Sequence, residues 1–439
     1  MAIFSRRVLQ RMLLENARLD DSSAQKHARK LNRCTEDTIS TEWEVAVLNG
    51  LSKLGSVRHE PDSDAPAVLD IHFESADGRL KFVGDVVTVT DFGLEAQNPI
   101  QEFEREVARR ARKANLKNLA GFTFEYGSWT DGDFRDRKVY IAVPNHSKYP
   151  EFFDDEFNKW LRQVCDDRSQ RHVYSKQAPS INLTIVFNPG SPHVSRHSAD
   201  FRVPQSLTRN PLFHALDRKA DQFKRARVPN PTVIFACDGA SQSMKERSNV
   251  NVFSASDIVA RFFKDHSVSA VVFVRVERKM LSHSFAFGRP FLQIDVIENS
   301  PLPGEFARGL RSLSSQLAVA IPQPDDDVLN AINHLRWKNR RLGLSNSGGF
   351  EMNRDSVKMS ARAVQELLAG RMTPETFQKE HAFVPAEGRT WSFNPFELAL
   401  KNGRLIEDVT IEKAENEDDD WITFFFSSRD AAIDSFRIK

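Results

Sequence analysis

Cysteine is scarce in this chain: Cys34, Cys165 and Cys237 are the only three in 439 residues. They are far apart and odd in number, so they make neither a disulfide framework nor a zinc knuckle, and a reducing, cytoplasmic setting is expected. No run of about 18 apolar residues is present, which excludes a transmembrane helix. The stretch from Met1 to Met12 lacks the continuous apolar core and small-residue cleavage site of a signal peptide, so no leader is expected. Charge of one sign is also missing. Lys and Arg number 61 against 60 Asp and Glu, a formal charge of +1. Nothing global therefore favours nucleic acid or a membrane, and any such surface has to be a local patch. A Walker A loop, Gly-x-Ser-x-Gly, His-Glu-x-x-His and Cys-x-x-Cys are all absent. Phenylalanine, by contrast, is plentiful at 33 residues and reads as core material. The length suits roughly two or three domains.

The most informative stretch runs from Val68 to Thr90. Leu69, Ile71 and Phe73 alternate with Asp70, His72 and Glu74, the period of a half-buried strand. Ala76-Asp77-Gly78 supplies a turn in which glycine is free to take positive φ. Leu80 to Val89 is apolar almost throughout, as in a strand buried on both faces. Asp85 interrupts that run. A carboxylate there is costly unless it is paired or binds a cation. In a hairpin, Asp70 on the neighbouring strand is close enough to share one ion with it.

A helix is expected to precede this hairpin, from Ser40-Thr41 to about Leu54, with Gly55 as its C′ residue. Trp43, Val47, Leu51 and Leu54 form its apolar stripe, and the spacing turns Glu44, rather than Glu42, towards the buried side. Glu44 reads either as a member of an acidic site or as a first-turn residue favoured by the helix dipole.

A helix carrying Glu44, a strand with Asp70 and a strand with Asp85 resemble the core of the PD-(D/E)xK nuclease superfamily, the restriction-endonuclease-like fold. The resemblance covers about residues 41 to 90, with a weaker continuation at 207 to 238. It implies an α/β, mixed α+β fold with a central sheet flanked by helices. It further implies a metal-dependent nuclease acting on DNA before RNA, in a setting of bacterial restriction or anti-phage defence. The motif lysine is replaced by Val87. Some relatives supply a lysine or glutamine from the following helix, and Asn210-Pro211 opens such a helix here, with Lys219 and Gln222 three apart on one shoulder. The expected site is thus Glu44, Asp70, Asp85 and Lys219. Asp70 and Asp85 are its ligands for Mg²⁺ or Mn²⁺, and Lys219 orients water or offsets phosphate charge.

On this mapping residues 1–39 are an N-terminal helical segment and 40–300 the core. Residues 91–206 are an insertion, and 301–439 form an accessory domain after the turn-rich Asn299–Gly304. Helices are expected at 5–32 with a break at Asp20–Ser23, from Asn98-Pro99 onward, at 150–165, at 212–227 and at 254–264. The last third reads as helices at 305–318, 325–336, 356–370 and 374–380, then strands at 406–412 and 421–427. Arg6, Arg7 and Arg11 are diluted by nearby acids and read as a solvated helix face. His193 and His197 lack a third ligand for a metal. Trp337–Leu342 is a basic and aromatic spot of the kind that touches phosphates and stacks on bases. Two other readings stand beside the nuclease. One is a degenerate nuclease fold that binds nucleic acid or serves as a scaffold subunit. The other is an interaction protein with surface acids, in which a protein partner or a second copy matters. A membrane partner is not expected.

Overall fold

A computed structural model describes residues 3–33, 37–59, 71–91, 94, 99–116, 118–133, 137–228, 231–246, 253–280, 287–299, 302–336, 350–353, 355–381, 394–414 and 419–433. The chain begins with three helices, α1 (Arg6–Ala17), α2 (Asp21–Leu31) and α3 (Asp37–Ser52), followed by strands β1 (Gly55–His59), β2 (Ile71–Ser75) and β3 (Lys81–Thr90). Next come α4 (Ile100–Lys113), β4 (Phe122–Tyr126), β5 (Ser128–Asp131), β6 (Lys138–Ile141), α5 (Tyr149–Phe152) and α6 (Asp155–Asp166). They are followed by β7 (His172–Ala178), β8 (Ile181–Phe187), β9 (Ser195–His197), α7 (Pro211–Arg225), β10 (Thr232–Gly239) and α8 (Ala255–Phe262). Then β11 (Ala270–Met280), β12 (Phe287–Glu298), α9 (Gly304–Ala320) and α10 (Val328–Arg336) lead to the C-terminal part. That part holds β13 (Phe350–Met352), β14 (Ser356–Ser360), α11 (Ala361–Leu368), α12 (Pro374–Glu380), α13 (Pro395–Lys401), β15 (Ile406–Glu412) and β16 (Trp421–Phe426). The class is mixed α+β, as expected. Among the described residues no helix is long and apolar enough to cross a membrane.

The largest sheet has the order β1-β2-β3-β10-β11-β12. Two compact units divide the chain. One comprises Met1–Val86, Phe273–Val296 and Pro303–Lys439; the other comprises Val87–Val272 and Ile297–Leu302.

In the first unit α3 is a core helix rather than a one-sided one. Trp43, Val45, Ala46, Val47 and Leu51 have no exposure at all. Asn16 of α1 donates to the Val45 carbonyl at 3.1 Å, and Phe4 meets Trp43 edge to face. These contacts supply partners for polar groups that burial would otherwise strand. Helix α3 starts earlier than the sequence suggested and stops at Ser52. Gly55 is therefore not a helix cap. It opens β1, where a Cβ would sit 2.2 Å from the Glu74 carbonyl oxygen on β2. Strand β1 pairs antiparallel with β2, from Gly55 opposite Ser75 to His59 opposite Ile71. The C-terminal elements form a sheet of order β13-β14-β16-β15 with its own apolar cluster, including Val357, Met359, Phe377 and Ala399. Residues 356–360, expected in a helix, are strand β14, because Val357 and Met359 alternate into that cluster before α11 begins.

In the second unit the expected insertion has its own sheet, β7-β8-β4-β9, covered by α4, α5 and α6. Phenylalanine dominates this core: Phe103, Phe122, Phe124 and Phe157 are fully buried. The single helix expected over 150–165 is two, because Asp154 accepts from the Phe157 amide and caps a new start. Helix α7 begins as read from the sequence. The Asn210 side chain accepts from the Phe213 amide, with Pro211 in the first turn.

Candidate functional site

The β2–β3 hairpin is built as its sequence implies. Ile71 faces Gly84 and Glu74 faces Lys81 across the pair, and Gly78 takes φ +70° in the turn. Phe73 and Phe82 stack with centroids 5.0 Å apart, which pins the register. One position beyond Gly84 stands Asp85, without exposure, in a strand whose neighbours Val83, Val86 and Val87 are buried as well. An ionised carboxylate in such a place has lost its water, a penalty on the order of several kcal/mol that surrounding groups must offset. Its oxygens are hard donors suited to Mg²⁺ or Mn²⁺. Asp70, its expected co-ligand, lies outside the described residues, as does Trp337–Leu342.

Helix α3 turns its acids differently from the sequence-based expectation. Glu42 is the fully buried carboxylate, accepting from the amides of Ile3 at 2.9 Å and Phe4 at 3.2 Å. Glu44 is half-buried and faces α2. Its carboxylate lies 3.2 Å from His27 Nε2 and 3.6 Å from Lys30 Nζ. A cation bound directly by Glu44 would compete with the Lys30 ammonium. Among the described residues no group of three or more histidines, cysteines or acids is arranged to hold a metal ion.

Lys219 and Gln222 sit half-buried on α7, as their shoulder position implied. Val87, at the motif-lysine position, is buried. Strand β10 follows α7 and lies next to β3 in the sheet order. The approach is close at its end. A Cβ on Gly239 would meet the Val89 carbonyl oxygen at 2.4 Å, and Thr90 bridges Ala240.

One acidic residue in this corner was not singled out by sequence. Asp91 directly follows β3, and burial pushes its carboxyl up to about 6, against the opposing pull of the Ser241 hydroxyl, the Gln242 amide and the Arg202 charge, while Asp200 adds to the rise. Beside it Ser241 and Ser243 are buried with their hydroxyls 2.7 Å apart, and Ser243 accepts from the Leu212 amide at the start of α7. The signal in the sequence was only that Asp91 follows an apolar run; the turn at 240–244 that surrounds it comes from a distant part of the chain.

No family model matches the chain, and comparison with curated proteins and with solved structures likewise returns no match.

Proposed function

We propose that this protein is a metal-dependent nuclease whose centre is carried by the β2–β3 hairpin and that hydrolyses DNA phosphodiester bonds. The observation behind this reading is Asp85, a carboxylate without exposure in the middle of an otherwise apolar strand. Its strand follows a helix and two antiparallel strands, and the chain later returns through α7 to place β10 beside β3. That helix-then-strand succession is what the resemblance to PD-(D/E)xK nucleases implies. Asp85 with Asp70 would hold Mg²⁺ or Mn²⁺, which supplies an activated water and offsets charge on the phosphate. Lys219 is the proposed replacement for the motif lysine. Glu44, engaged by His27 and Lys30, is assigned to orienting its surroundings rather than to direct ligation.

A second reading, binding of nucleic acid without cleavage, is favoured by buried Val87 where the family pattern has lysine. Restriction or anti-phage defence remains the biological setting that the resemblance suggests. The deciding experiment incubates the full chain with plasmid, linear and single-stranded DNA and Mg²⁺ or Mn²⁺. It compares wild type with Asp85→Asn and Lys219→Ala. Metal-dependent cutting that vanishes in Asp85→Asn upholds the nuclease, and its loss in Lys219→Ala upholds the relocated lysine. Salt-sensitive binding without cutting selects the second reading. If wild type neither cuts nor binds, both readings fall.

A further inference from the structure

Strand β15 ends the C-terminal sheet. It pairs with β16 on one side, and among the described residues no strand pairs with the other. Every residue of the strand, Ile406–Glu412, is exposed. An edge strand turns the N–H and C=O of every second residue away from its sheet, which makes it a template for one more strand. The register slips between Ile406 and Asp408, leaving Glu407 as the extra residue of a bulge. From Asp408 to Glu412 the pairing is regular.

That regular stretch has two unlike faces. Val409 stands opposite Phe424 and Ile411 opposite Ile422, and both partners lie against the apolar cluster of this sheet. Val409 and Ile411 therefore carry the core face out to the rim, where they are 43% and 65% exposed. Ile411 also lines a 480 Å³ concavity, together with Ala361, Gln365 and Ala369 on and just after α11. The charged side chains around that concavity balance: Glu366, Asp419 and Asp420 against Arg7, Arg362 and Arg371. Asp419 holds Arg362 and Asp420 holds Arg7, so the space suits an uncharged side chain. The alternate positions, Asp408, Thr410 and Glu412, point to the opposite face. Glu412 meets Lys358 at 2.7 Å. Asp408 accepts from the Val409 amide at 2.8 Å, and among the described residues no lysine or arginine pairs with it or with Glu407.

We propose that β15 accepts an extended segment of a partner protein as an added strand, and that this segment alternates apolar with basic side chains. Main-chain hydrogen bonds to the edge hold it, and the alternation selects it. Its apolar residues lie beside Val409 and Ile411, one of them entering the concavity, while its basic residues lie beside Asp408 and Glu412. A second copy of this chain fits the edge poorly. The strand holds three acids and no cation, so self-pairing sets like charges along one seam. The proposal uses none of the residues assigned to DNA cleavage and stands apart from that reading.

The test titrates the full chain into fluorescein-labelled peptides of about nine residues, near the length of an ordinary strand, and follows anisotropy. One peptide alternates Lys or Arg with Val or Ile. A second has the same composition with its basic residues in one block. A third is the alternating peptide with every amide N-methylated, which removes its main-chain donors. The variants are Ile411→Lys and Glu407→Lys/Asp408→Lys, with Val319→Lys at an exposed position of α9 as the control. Equal urea midpoints confirm that each variant is folded. The alternating peptide should bind wild type and Val319→Lys alike, and the block and N-methylated peptides at least about tenfold more weakly. Ile411→Lys and the acid pair should each weaken it on the order of tenfold, and the acid pair should also reduce the salt dependence. No binding of the alternating peptide, or unchanged affinity in either variant, overturns the proposal. Equal binding of the block or N-methylated peptide also overturns it, since charge attraction alone would then account for the signal. A wild-type dimer in sedimentation that Ile411→Lys dissolves would assign the edge to a second copy and overturn the partner strand.

Discussion

The Glu44 carboxylate reaches across from α3 to His27 of α2, 3.2 Å from its Nε2, while Glu42, two positions earlier, is enclosed on the backbone amides of Ile3 and Phe4. The two glutamates therefore contribute differently. Glu42→Ala removes a charged acceptor from two buried amides and should cost about 2 to 3 kcal/mol. Glu44→Ala breaks a partly exposed pair and should cost about 1 kcal/mol or less. Urea denaturation of both variants checks this. Equal losses would mean that α2 leans on Glu44 far more than its exposure implies.

Gly55 makes a sharper demand on the chain. An added Cβ meets the Glu74 carbonyl oxygen at 2.2 Å, and that atom is backbone, which cannot rotate away. Gly55→Ala should force β1 off β2 and destabilise the first unit by about 2 kcal/mol or more. Gly78→Ala, at φ +70° in an exposed turn, should cost about 1 kcal/mol. The comparison is read from denaturation midpoints at unchanged slope. A Gly55→Ala protein as stable as wild type would place β1 differently.

These positions also show what the sequence could and could not convey. The hairpin turn and the Asn210 cap were legible because each is encoded within a few residues. Gly55 was misread as a helix cap, since glycine after a helix serves that role so often; the partner that demands it lies on β2. Glu42 and Glu44 defeated periodicity because α3 is covered on nearly every side, so no single stripe marks inward. The pairing of Arg362 with Asp419, and of Arg7 with Asp420, joins segments with no local signature. Local chemistry was readable; long-range charge pairing was not.

Glu104 on α4 tests that long-range chemistry in the second unit. It is buried, accepts from Tyr126 Oη at 3.0 Å and is gripped through both oxygens by Arg196 Nε at 2.6 and 2.7 Å. Arg196→Ala leaves the carboxylate with the tyrosine alone; because the Arg196 side chain is itself more than half exposed, the cost should be about 1 to 2 kcal/mol. Tyr126→Phe should cost about 1 kcal/mol. Burial first, and then the Glu104 charge, raises the Tyr126 phenol, so it should resist ionisation in an alkaline absorbance titration. Restored stability in Glu104→Gln/Arg196→Ala would show that the cost lies in the stranded charge. A double variant no better than Arg196→Ala would assign it to lost packing instead.

Asp91 gives the chain a defined pH response. Its carboxyl titrates at about 6 in the fold and at 3.8 as an ordinary side chain, chiefly because burial penalises the charge. A raised folded value means that the protonated form favours folding. The contribution is complete below the unfolded value and disappears as pH rises through about 6. The difference is on the order of 3 kcal/mol. Asp91→Asn replaces the acid with a neutral group of the same shape. It should leave stability near pH 4 little changed, raise it by about 2 to 3 kcal/mol near pH 8, and flatten the profile between them. Denaturation at those two pH values decides the matter. A gain of the same size at both would show that charge at Asp91 is not the cause, and that the Ser241 turn accommodates the amide better for reasons of packing alone.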